Sequence, residues 1–143
     1  MNYCNVDDLL ASRLSNEELI QLTDDAGTGS YNQDFVQAAI VSAQELIDGY
    51  LRGRLALPLN PVPGVIKNIA VVLAAYNLFR RRLSLTPPEQ LRRDYDDAIS
   101  TLERVQKGII AISPEDASRG PAGYKVNKTR RDRQFGKDRL EGY

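Results

Sequence analysis

Histidine and tryptophan are absent from this 143-residue chain, and cysteine and methionine occur once each. Without histidine the commonest general base and the commonest metal ligand are missing. A lone thiol, Cys4, makes neither an intrachain disulfide nor a zinc cluster, and suits a reducing compartment. The chain carries no glycine-rich phosphate loop, no serine nucleophile elbow and no dinucleotide fingerprint. Its longest apolar run, Ile69 to Tyr76, covers less than half of the roughly 20 residues that a membrane helix needs. The opening, Met1 to Asp8, is polar and acidic, unlike a secretory leader. These absences argue against an enzyme, a metal or cofactor protein and a membrane protein. They favour a protein made in the cytoplasm, with no catalytic, cofactor-binding or metal-ligating residue to nominate.

Net charge is also lacking: 19 Lys/Arg balance 19 Asp/Glu, but the balance is uneven along the chain. Residues 1–113 hold 11 basic against 14 acidic residues, and residues 114–143 hold 8 against 5. An acidic body with a basic tail suggests a tail that reaches for a partner.

What the chain does have is helical periodicity. Asn5 with Asp8, and Ser15 with Glu18, each place a side-chain acceptor at a helix start and an acid three residues on. Two short helices follow, over about Val6–Leu14 and Asn16–Leu22. Residues 23–30, rich in glycine and short polar side chains, form a loop. Three longer stripes come next: Val36, Ile40, Ala43, Ile47, Tyr50; then Val62, Ile66, Ile69, Leu73, Tyr76; then Leu91, Tyr95, Ala98, Leu102, Val105. Each repeats the 4-3-4-3 spacing of a helix of about five turns, roughly 30 Å long. The third opens at Thr86-Pro87-Pro88-Glu89, which has the form of a capping box, and closes at Gly108. The second is apolar nearly all round, through Val65, Ala70, Val71, Val72, Ala74 and Ala75, so it is either the central helix or one covered by another subunit.

Between the first two long helices the prolines of Arg54–Pro63 forbid helix, while Leu55, Leu57 and Leu59 alternate, as expected for an extended strap laid across the bundle. Ile109–Ile112 is short enough to pair as a strand. Past Pro114 no stripe remains. The fold class is therefore an all-α bundle of three long and two short helices, with a proline-rich strap. Residues 1–113 form the helical domain and 114–143 an extended C-terminal arm.

The loop Asp24–Ser30 lacks the alternating acids and terminal glutamate of a calcium loop. Asp94, Asp96, Asp97 and Glu103 interleave with Arg92, Arg93 and Arg104 at helical spacing, the pattern of a salt-bridged face rather than an acid–base pair. Arg80, Arg81 and Arg82 suit a helix C-terminus. Together with Arg92 and Arg93 they are also the candidate intersubunit or DNA-facing charges. In Asp48-Gly49-Tyr50 the glycine permits a close backbone approach and the tyrosine packs with its hydroxyl at the edge.

Several stretches together resemble the Mu-like phage head–tail connector family. They are Tyr3-Cys4-Asn5-Val6-Asp7-Asp8-Leu9, Glu18 to Asp25, Ala39-Ile40 with Ile47-Asp48-Gly49-Tyr50-Leu51, Arg54 with Leu57-Pro58-Leu59, Pro61 and Pro63, Arg93 to Ala98, and Phe135 to Tyr143. Leu55 departs from the pattern, standing where an aromatic is expected. The resemblance implies a structural adaptor without catalytic residues, assembled as a dodecameric ring of identical subunits. The ring would sit beneath the portal protein in the virion neck, joined below to a stopper or tail terminator. Double-stranded DNA would pass through it without sequence-specific contact.

In such an assembly Phe135, Leu140 and Tyr143 are the apolar anchors of a partner-docking arm. Each anchor contributes roughly 1.5–3 kcal/mol on burial. Ordering the arm costs about 1 kcal/mol or more per residue, so backbone pairing with the partner is needed as well. Two rival readings are a helical nucleic-acid-binding module that uses the basic tail and Arg80–Arg82, and a small enzyme or enzyme regulator.

Overall fold

A computed structural model describes residues 2–112. Five helices carry these residues: α1 (Val6–Ser12), α2 (Asn16–Thr23), α3 (Gln33–Leu51), α4 (Gly64–Arg81) and α5 (Glu89–Gln106). There is no named strand among the described residues. The all-α bundle of three long and two short helices is what the periodicity predicts.

The short helices start as their sequences dictate. In both, the N-cap side chain accepts the N3 backbone N–H, while the N3 carboxylate accepts the N-cap N–H. Asn5 and Asp8 do this for α1, and Ser15 and Glu18 for α2. Thr23, fully buried at the end of α2, donates its hydroxyl to the Leu19 carbonyl at 2.7 Å and accepts the Asn32 N–H at 3.0 Å. That one side chain joins the end of α2 to the start of α3.

The three long helices run antiparallel in sequence. Asn77 of α4 donates to the Ala39 carbonyl of α3, and Arg81 covers the Phe35 ring, so numbers rise along one helix as they fall along the other. Tyr76 stacks on Tyr95 of α5 with ring centroids 4.2 Å apart. α4 is the helix that all others touch. Ile66, Ile69, the run Ala70–Ala75 and Leu78 are buried, against fewer buried residues on α3 or α5. Of the two fates open to an all-round apolar helix, the chain itself supplies the covering, except at Val65, which is 49% exposed.

Four boundaries depart from expectation. α1 stops at Ser12, although Leu14 stays buried beyond it. Val62 precedes α4, because prolines at 61 and 63 hold the chain extended until Gly64. The capping box at Thr86–Glu89 does not form: Pro88 holds Pro87 out of the helical region, Pro88 itself becomes the N-cap, and it makes no side-chain cap bond. Ile109–Ile112 is bent chain rather than strand. Gly108 does close α5, at φ 76°, with its N–H on the Val105 carbonyl and the Ile109 N–H on Arg104.

The strap lies as expected across the bundle, with Leu55 and Leu59 buried, Leu57 half-buried, and cis bonds before Pro58 and Pro61. It is fastened by Tyr3, which is 2% exposed. The Tyr3 hydroxyl donates to the Asp48 carboxylate of α3 and accepts the Leu59 N–H at 3.3 Å. Burial, then the Asp48 bond, push its pKa up to about 12. Neighbouring Cys4, also buried, is pushed up to about 11, chiefly by desolvation.

Tyr3→Phe strands the buried Leu59 N–H and a carboxylate that had a donor. The expected loss is about 1–3 kcal/mol in urea unfolding, with an unchanged slope. The Tyr3 hydroxyl and the Cys4 thiol are neutral in the folded state and carry raised pKa values. Their stabilisation is therefore intact below about pH 9, falls as pH climbs past the unfolded thiol and phenol values, and is gone near pH 12. Tyr3→Phe should remove the upper part of that alkaline fall.

Candidate interaction surfaces

At the C-terminal end of α4, Asp25 gathers two of the three consecutive arginines. Arg81 and Arg82 both donate to its carboxylate, and Arg81 also reaches the Leu22 carbonyl at 3.0 Å. The Arg81 guanidinium lies 3.6 Å from the centroid of the Phe35 ring. These bonds hold the Asp25 carboxyl below its usual range, the Arg81 hydrogen bond first. Next door Asp24 accepts the N–H groups of Thr28 and Gly29 at 2.9 and 2.8 Å, and the Thr28 hydroxyl. Those bonds lower its pKa as well. The acids of this loop bind the loop itself and α4. Among the described residues no cluster of three or more His, Cys, Asp or Glu side chains could hold a metal.

The candidate charges therefore separate. Arg81 and Arg82 are half-buried and engaged within the subunit. Arg80 is exposed, 6.0 Å from the Tyr76 ring centroid. Arg93 pairs with Glu89 one turn back, and Arg92 is exposed. Of the α5 acids, Asp94 pairs with Arg13 at the end of α1 and accepts from Gln90 at 2.9 Å, which lowers its pKa, Gln90 contributing most. Asp96, Asp97 and Glu103 face solvent. The arm residues Phe135, Leu140 and Tyr143, and the whole segment 114–143, lie outside the described residues.

Among the clefts that border this framework, two are the larger. One, of about 420 Å³, runs between α3 and α4 beside Phe35, Ser42, Asn77 and Arg80. The other, of about 470 Å³, lies at the N-terminus beside Tyr3, Cys4, Asp8 and Lys67, with Lys67 and Asp8 paired at 2.9 Å. Sequence reasoning missed Tyr3, Asp25 and Phe35 as organisers. Their partners are 45 to 57 positions away or on another helix, and no local spacing announces them. No close helix or backbone approach is found at Gly49 among the described residues, since a Cβ there would meet nothing within 4 Å.

The model of the family described as Bacteriophage Mu, Gp36 matches residues 3–128. The chain belongs to this phage Mu Gp36 family. A Gp36-family relative, the Mu-like prophage FluMu protein gp36 of Haemophilus influenzae, is 38% identical over 87 residues, 61% of this chain and 59% of that protein, under two thirds of its length. Gene product J of Escherichia phage Mu is 32% identical over 108 residues, 76% of this chain and 74% of the relative. In this Gp36-family chain no described helix is long and apolar enough to cross a membrane.

Because the Asp25 carboxyl is held below its usual value, its clasp is present above the unfolded carboxylate range and is lost as pH falls through the lowered value. Asp25→Asn should lower hydrogen-exchange protection of the Arg81 and Arg82 amides at pH 7, while wild type loses that protection only in acid. Equal exchange in the two proteins would rule the clasp out.

Proposed function

We propose that this Gp36-family chain is a structural head–tail connector subunit, not an enzyme. It forms a ring that docks on the portal protein and links it to the next neck or tail protein, whether stopper or tail terminator. It is made in the host cytoplasm and resides in the virion neck. The observation that carries this reading is the family match along residues 3–128, with relatives in phage Mu and a Mu-like prophage. The residue inventory agrees: the chain has no histidine, and its one cysteine is buried with a raised pKa. The net-acidic body suits a channel through which DNA slides. Phosphate binding requires unpaired clustered cations, and two of the three arginines at 80–82 are already held by Asp25. This weakens the rival nucleic-acid module.

The arm is the part that fastens the ring to its partner. Deleting residues 124–143 should leave a protein with the wild-type circular dichroism spectrum and melting point, while heads and tails accumulate unjoined. Infectious particles completed by the truncated protein would overturn the arm's role. Electron microscopy of intact particles should place the chain as a ring between capsid vertex and tail, and its absence there would overturn the connector reading.

A further inference from the structure

α3 has two unlike faces. Val36, Ile40, Ala43, Ile47 and Leu51 are buried as the helix packs against α4 and α5. The other side exposes Ala38, Val41, Ser42, Glu45, Leu46 and Gly49. At 100° per residue these six fall within an arc of about 140°. The surface is small and apolar for an outer face, with Val41 and Leu46 each 38% exposed. α5, by contrast, exposes mainly charge. α3 also has no basic residue: its charges are Asp34, Glu45 and Asp48, and its last turn lacks a cation to offset the helix dipole. Gly49 adds a second, independent sign. It sits in helix, where glycine is a poor choice, yet nothing among the described residues fills the space beside it.

The complement lies on the same molecule. Past Glu103 the last turn of α5 and the residues that follow it carry exposed Arg104 and Lys107, no acid up to residue 112, and Ile109, which is 68% exposed. Arg104, Lys107, Asp34 and Glu45 make no ion pair among the described residues, whereas Arg13, Arg81, Arg82 and Arg93 all do. The antiparallel order puts the C-terminal ends of α3 and α5 at the same end of the bundle.

We propose that the outer face of α3 is a subunit seam and that a second copy of this chain fills it with the end of its α5. Ile109 lies against Val41 and Leu46, Lys107 and Arg104 meet Glu45, and Gly49 lets the neighbouring backbone come close. Two different patches meeting head to tail generate a ring when the rotation closes. Patches at the same end of the bundle let this happen without a large axial step. The seam rests on the ring reading above and specifies which surfaces build it.

The test is sedimentation of the full-length chain at low salt across a concentration series, with circular dichroism as the fold control. Glu45→Lys and Lys107→Glu should each weaken self-association by about tenfold, and the double reversal should recover most of it. Gly49→Ala should weaken association without lowering the melting point. If single reversals change nothing, or the double reversal recovers nothing, the seam is overturned while a wild-type ring still stands. A wild-type chain that stays monomeric throughout the series overturns seam and ring together.

Discussion

α4 carries no charged residue between Lys67 and Arg80, so water must be kept from nearly all of its circumference. The other helices are arranged to do that. α3 and α5 flank it, α1 lies near its N-terminal end through the Lys67–Asp8 pair, and α2 lies near its C-terminal end through the Arg81 bond to Leu22. Charge resumes only where α4 emerges, and there it is used to pin the short segments that cover the core. The strap and the N-terminus complete the enclosure through one hydroxyl, that of Tyr3.

Periodicity made α3, α4 and α5 legible, because a helix covered on one face, or on all, leaves its burial pattern in the spacing of apolar residues. The capping boxes of α1 and α2 were legible for the same reason: donor and acceptor stand three residues apart. The reading failed where chain geometry outranked composition. Thr86 and Glu89 have the letters of a cap, but two intervening prolines move the helix start to a residue with no side chain to offer. It also failed where partners are remote in sequence. Asp25 could be read as loop acid or helix flank, but only the fold brings two arginines from the end of α4 to it.

The division of charge between inside and outside use has a functional consequence. Arginines committed to Asp25, Asp94 and Glu89 stiffen the subunit and are not free to grip phosphate. Exposed apolar side chains at Val41, Leu46, Val65, Leu83 and Ile109 are spread over an otherwise closed body. In the connector role proposed above, such a subunit would fold by itself and join others through its surface and its terminal arm. That suits a part of a phage particle whose copies must be complete before they assemble.

Enclosure of α4 within a single chain is the claim on which the rest stands. Native-state hydrogen exchange on the dilute, unassembled protein tests it most directly. Amides from Ile69 to Leu78 should open only with global unfolding, at the free energy measured by denaturant. Exchange there as fast as at the loop of residues 24–30, slowing only when subunits associate, would contradict the account.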